Sequence, residues 1–172
     1  SGSEAVNSLI QEESLGEKLD SDYEKGFYDR PIARNVIPLA GNLTENGYSD
    51  EEMKFVNESR KILNIPQLIV EPSNARVGVK TGHGIFCSAT FEKETDVKEA
   101  IGLIDSFDGV EYWKDKLPTP LDAEGSKQVL VGRMRKGLSD NRILNFWAVS
   151  DNLLKGAALN AVQIARYIVD ND

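Results

Sequence analysis

Apolar positions recur in two rhythms along this chain. In several short stretches they alternate with polar residues or run together: residues 85–92, 109–113, 128–135 and 144–150. Each of these predicts a strand, because side chains on a strand point to opposite faces with a period of two. Shorter extended runs are predicted at 35–39, closed by Pro38, at 67–71 before Pro72, and at 75–80. Elsewhere the spacing is helical. Residues 1–19 place Ala5, Leu9 and Ile10 among the apolar positions of a helix that Gly16 weakens. Residues 50–63 place Met53, Val56, Ile62 and Leu63 on one stripe. Residues 96–107 turn Val97, Ala100, Ile101 and Ile104 inward, and a fourth helix runs through 153–165.

The boundaries carry their own signals. Ser49 followed three residues later by Glu52 is a capping box, and Pro66 marks the far end of that helix. Thr95 is placed to cap the helix after it, and Asp151 or Asn152 the last one. Gly156, Ala157, Ala158 and Ala161 let the last helix lie close to something flat, a sheet or a bound ring. A charged loop fills 20–33. There are no repeats and no linker long enough to separate two domains, so a single domain over 1–172 is expected. Strands in consecutive runs between occasional helices predict an α+β fold. Its sheet is mixed and largely antiparallel, with helices on one face and the other face available for dimerisation.

Composition narrows the partners. The chain has 172 residues, 40% hydrophobic and 28% charged, with a net charge of -8 and a pI near 4.8. No basic stripe is present, which argues against nucleic acid and anionic membranes. A single cysteine, Cys87, forbids an internal disulfide, and one histidine with one cysteine cannot build a structural zinc site. No apolar run approaches a membrane span and no signal peptide opens the chain, so a cytoplasmic protein is expected.

The chemistry concentrates in residues 74–84. Arg76 presents a planar fork of donors that matches a carboxylate, and His83, the only histidine, titrates near neutrality. Gly78, Gly82 and Gly84 lie between and beside them. A tight hairpin at Thr81–Gly82 would set Lys80 opposite His83 and leave Arg76 roughly 13 Å further along the strand. A shared site therefore requires the glycines to break that hairpin. Glu51 and Lys54, three apart, project from one face of a helical first turn, where they also suit plain surface pairing. No glycine-rich strand-turn-helix for a dinucleotide and no G-x-S-x-G elbow are present. Cys87 reads as a small strand residue rather than a nucleophile. The residues offer acid/base and anion-binding groups without a nucleophile or a cofactor motif.

Residues 45–63, beginning Glu45-Asn46-Gly47-Tyr48-Ser49, closely resemble the aspartate-β-semialdehyde dehydrogenases. Asn35-Val36-Ile37-Pro38, Arg76-Val77 with Gly82-His83, Val131-Gly132-Arg133-Met134-Arg135, and 151–165 follow in that family's order. The resemblance covers nearly the whole chain but only the family's C-terminal catalytic and dimerisation domain, similar to that of glyceraldehyde-3-phosphate dehydrogenase. It implies that the N-terminal nucleotide-binding domain and the segment bearing the nucleophilic cysteine are absent, and that the isolated chain is inactive. N-acetyl-γ-glutamyl-phosphate reductases share the domain type and fit the helix after Tyr48 less well. A non-catalytic dimer scaffold is the remaining alternative.

The resemblance also implies roles. His83 matches the acid/base histidine, Arg76 the arginine that holds the substrate α-carboxylate, and Glu51 the acid that receives its amino group. Lys54 matches the lysine that attracts phosphate, and Asn152 the amide beside the nicotinamide of NADP. Ser1-Gly2 is a weaker match to a turn by the cofactor. The family interconverts aspartyl phosphate and aspartate semialdehyde through a thiol, NADP and phosphate, in lysine, threonine and methionine biosynthesis, and acts as a homodimer through the sheet. Asn74, Gly78 and Gly84 depart from it: many members carry cysteine, proline and serine there.

Overall fold

A computed structural model describes residues 2–16, 19 and 26–171. Contacts divide the chain into two compact units, Ser1–Lys80 and Thr81–Asp172.

In the first unit, α1 (Ser3–Leu15) packs Leu9 against Leu19, Ile32 and Ala33, with Leu15, Tyr28 and Ile37 around them. Leu9 and Glu12 share one helix face, and Glu12 is buried with its charge fully engaged. Its Oε2 accepts from the backbone N–H of Ile32 (2.6 Å) and Ala33 (2.8 Å), and Ser8 Oγ donates to Oε1 at 3.0 Å. A buried carboxylate is tolerable only with such donors. Ile10, expected among the apolar positions, is exposed, and the helix ends at Gly16 with φ 59°. Residues 20–25 of the expected 20–33 loop, and Ser1, lie outside the described residues. β1 (Val36–Ile37) pairs antiparallel with β2 (Arg76–Val77), placing Ile37 opposite Arg76.

Between these strands runs α2 (Asp50–Ile62), begun by the Ser49/Glu52 capping box. Of the predicted stripe only Val56 is buried, and Ile62 is 79% exposed. The strand expected at 67–71 does not form. Prolines flank it, Ile69 is exposed, and the Leu68 carbonyl accepts from Arg60 Nε (2.9 Å). A side chain thus takes the place of a neighbouring strand.

The second unit is built on a four-stranded sheet in the order β3 (His83–Thr90), β6 (Ile143–Ser150), β5 (Val129–Lys136), β4 (Val110–Trp113). β3–β6 and β6–β5 are antiparallel, and β5–β4 is parallel. The fold is the expected α+β with a mixed, mostly antiparallel sheet. α3 (Val97–Asp105) lies against β4 and β5, and α4 (Pro120–Ala123) against β6. Asp96 caps α3, accepting from the N–H groups of Lys98 and Glu99. The expected cap, Thr95, has a buried hydroxyl without a partner. Leu130 and Val149 are cross-strand partners and close over Ala123, with Trp113 and Trp147 at the edge of the cluster. The final helix begins as a π-turn (Leu154–Ala158) and continues as α5 (Leu159–Asn171), all of it at least partly exposed. Among the described residues no helix is long and apolar enough to cross a membrane.

Candidate functional site

In the first unit the candidates gather around the start of α2. Ser49 Oγ accepts from Glu52 N–H (3.1 Å) while Glu52 Oε2 accepts from Ser49 N–H (2.8 Å). The closed box fixes the first turn, so Glu51 and Lys54 emerge side by side. Lys54 Nζ donates to Glu51 Oε1 at 2.8 Å, and both side chains are about half exposed (54% and 49%). The hydrogen bond it donates to Glu51 raises the Lys54 pKa above the usual lysine range. Arg76 is half-buried in β2, its Cζ 5.3 Å from the centre of the Tyr28 ring. That distance permits a cation–π contact and leaves the edge of the fork for an anion.

Asn74 joins these parts. Its N–H donates to Glu52 Oε1 (2.8 Å), and its Nδ2 donates to Ser49 Oγ (2.9 Å) and the Ala40 carbonyl (3.1 Å). Its Oδ1 accepts from Ala40 N–H (2.8 Å). Two residues before Arg76, the chain is therefore tied to the turn bearing Glu51. N–H donors from Ser49 and Asn74 hold the Glu52 carboxyl below the usual range.

In the second unit His83 opens β3, exposed and opposite Ser150. Gly82, at φ 105°, has its N–H bound by Asn152 Oδ1 at 2.7 Å. A Cβ at Gly82 would sit 3.1 Å from Pro120 Cβ, so this turn favours glycine on both counts. His83 and Asn152 are thus linked through one residue. Asp151 beside them is buried, accepting from Gly125 (2.9 Å), Leu153 (2.7 Å) and Leu154 (2.9 Å) N–H groups, and these donors lower its pKa. The tight hairpin that would have separated Arg76 from His83 is not formed, because β2 pairs with β1 and β3 with β6.

A family model for the semialdehyde dehydrogenase dimerisation domain matches residues 1–155. The chain belongs to this family. The aspartate-semialdehyde dehydrogenase of Streptomyces akiyoshiensis is 44% identical to the dimerisation domain over 155 residues, covering 89% of this chain and 45% of the relative. The crystal structure of aspartate semialdehyde dehydrogenase II of Vibrio cholerae, complexed with ASA, superposes at a TM-score of 0.91 with 36% identity. It covers 98% of this chain and 51% of that one. The Candida albicans enzyme, crystallised with NADP, shares the fold at a TM-score of 0.64 and 23% identity, over 78% of this chain and 44% of its own. The chain spans about half the length of the relatives it matches.

Two departures from the family's pattern have visible causes in this dimerisation domain. A Cβ at Gly84 would lie 2.0 Å from Trp147 Cη2, and one at Gly78 would lie 3.1 Å from the Ile32 carbonyl oxygen. The domain's only thiol, Cys87, is half-buried in β3, and burial pushes its pKa up, against a nucleophilic role. Asn152 keeps its amide nitrogen without a protein partner among the described residues, a donor that fits a carboxamide oxygen. Nothing else in the described turns forms a strand-turn-helix for a pyrophosphate. The sequence pointed to Glu52 through its capping box. It carried no signal for the second oxygen of that carboxylate, whose partner, Asn74, is distant along the chain.

Proposed function

We propose that this chain is the substrate-binding and dimerisation domain of an aspartate-semialdehyde dehydrogenase, its two units serving as one functional domain. The observation that carries the reading is the Glu51–Lys54 pair on a fixed helical turn, tied through Asn74 to the strand bearing Arg76. Arg76 grips the substrate α-carboxylate with a two-pronged contact. Glu51 receives the substrate ammonium, which replaces Lys54 there and leaves that lysine for phosphate. His83 moves a proton at the reacting carbonyl. The Vibrio cholerae relative, solved with ASA, supports this choice of substrate.

NADP accepts the hydride when bound. Asn152 supplies one donor toward its nicotinamide, and the rest of the dinucleotide needs a site outside these residues. The reacting thiol is likewise supplied from elsewhere, since Cys87 is unsuited. The partner is a second copy through the sheet. Phe86, 66% exposed on β3, favours such cover. The reading places the chain in the cytoplasm, in the biosynthesis of lysine, threonine and methionine.

The test is NADPH absorbance on mixing aspartate semialdehyde, phosphate and NADP. The purified chain gives none, whereas its fusion to the nucleotide-binding half of the Streptomyces relative turns over. Turnover by the chain alone overturns the division of labour, and a folded but inactive fusion overturns the assignment.

A further inference from the structure

We propose that Asn74 is a positioning residue for substrate binding, setting Arg76 at a fixed place relative to Glu51 and Lys54. This rests on the substrate-binding reading above. The argument starts from connectivity. The chain leaves β1 at Ile37, loops through Ala40, enters α2 at Ser49 and returns to β2 at Arg76. Arg76 and Glu51 thus sit on segments joined by a long excursion, and β1 and β2 pair over only two residues each. A two-residue ladder is a weak constraint on where a long side chain projects.

Asn74 supplies the missing constraint. Its four hydrogen bonds, all between 2.8 and 3.1 Å, reach the loop after β1 and two residues at the start of α2. Both amide hydrogens and the amide oxygen are used, so no other side chain of similar size satisfies the same set. Aspartate keeps the backbone bond to Glu52 and the acceptor for Ala40 N–H, but loses both amide donors and adds a charge near the Glu52 carboxylate. Alanine keeps only the backbone bond to Glu52. Around this hub, Asp50 accepts from Asn42 N–H (2.9 Å) and Nδ2 (3.1 Å), closing the same loop from its far side. The loop, the turn and the strand are held as one piece, and Asn74 is the member that touches all three.

The consequence is a coupling between residues held on separate segments. A ligand held at its carboxylate by Arg76 and at its ammonium by Glu51 senses the spacing of the two groups. Loosening that spacing weakens both grips together.

The test uses the whole chain, with aspartate semialdehyde as the probe, in calorimetry and amide hydrogen exchange. Asn74→Ala removes three part-buried hydrogen bonds and is expected to weaken the affinity about tenfold, a fraction of what those bonds contribute to the fold. Asn74→Asp, which turns a carboxylate oxygen toward the Ala40 carbonyl and sets a charge beside Glu52, should not recover that loss. In an Arg76→Ala background, Asn74→Ala should cost nothing further. Exchange in Asn74→Ala should quicken at Arg76–Val77 and in the first turn of α2 together, with the second unit unchanged. A lowered melting temperature with unchanged affinity overturns the positioning role and leaves the functional reading standing. Binding indifferent to Arg76→Ala, or absent in the unaltered chain, overturns the functional reading. Exchange then decides the positioning separately: an unchanged rate at Arg76 and Val77 in Asn74→Ala overturns it.

Discussion

Gly84 follows His83 within β3, and the space its side chain would take is occupied by Trp147. A Cβ there would overlap Cη2 and Cζ2 of that indole. The indole cannot yield freely, since its Nε1 donates to the Pro118 carbonyl at 2.7 Å and its ring meets Phe86 at 4.6 Å between centroids. Gly84→Ala therefore forces overpacking, which costs about 1–3 kcal/mol. If the indole swings away instead, the Pro118 bond goes, at about 1 kcal/mol, with up to about 1 kcal/mol of ring contact. Either route falls within about 1–3 kcal/mol, a drop in melting temperature of roughly 2–12 °C for a domain of this size. Gly84→Ser, which installs the residue common in the family, should behave alike. Thermal melts followed by near-ultraviolet circular dichroism report on the two tryptophans directly. Combining Gly84→Ala with Trp147→Leu should cost less than the sum of the two single changes by about 1 kcal/mol or more, because the second change vacates the contested space. Melting unchanged in Gly84→Ala, or strictly additive costs, refutes the packing argument.

Asp151→Ala leaves three backbone N–H groups without their acceptor and should destabilise the second unit by about 2–4 kcal/mol, read by denaturant unfolding. Glu52 and Asp151 both have carboxyls lowered in the folded state. Their contributions are complete above the unfolded carboxylate range and fade as pH falls through the lower folded values. Stability should therefore be flat from neutrality to about pH 5 and decline below about pH 4, with a shallower decline in Glu52→Gln at its lower starting stability. Cys87, raised by burial, should react with a thiol reagent at pH 7 more slowly than a free cysteine, and Cys87→Ser in the active fusion should leave turnover intact.

Local signals survived into the structure and distant ones did not. The capping box at Ser49 and Glu52 and the long apolar runs of β5 and β6 were legible, because each depends on neighbours within a few residues or on simple alternation. The stretch 67–71 misled by composition. Its apolar residues suit a strand, yet no partner strand lies beside it, and Ile69 is 84% exposed. The α2 stripe failed likewise, since Ile62 and Leu63 remain in solvent and only Val56 is covered. Whether a hairpin forms around Thr81–Gly82 was left open by the sequence, and the answer is topological. β2 pairs with β1, far back in the chain, and no local pattern records that choice. The types of the candidate residues were visible from the start, because few side chains grip a carboxylate or carry a proton near neutrality. Their connections were not. Asn74 looked like a departure from a pattern, and only its four hydrogen bonds show it as the joint between α2 and β2.

The most direct test of the substrate-binding reading is to titrate the isotopically labelled chain with aspartate semialdehyde, with and without phosphate, following side-chain and amide resonances by NMR. Saturable shifts are expected at Glu51, Lys54, Arg76 and His83, with phosphate adding its largest effect at Lys54. A titration that leaves these four unmoved, or that moves residues elsewhere, contradicts it.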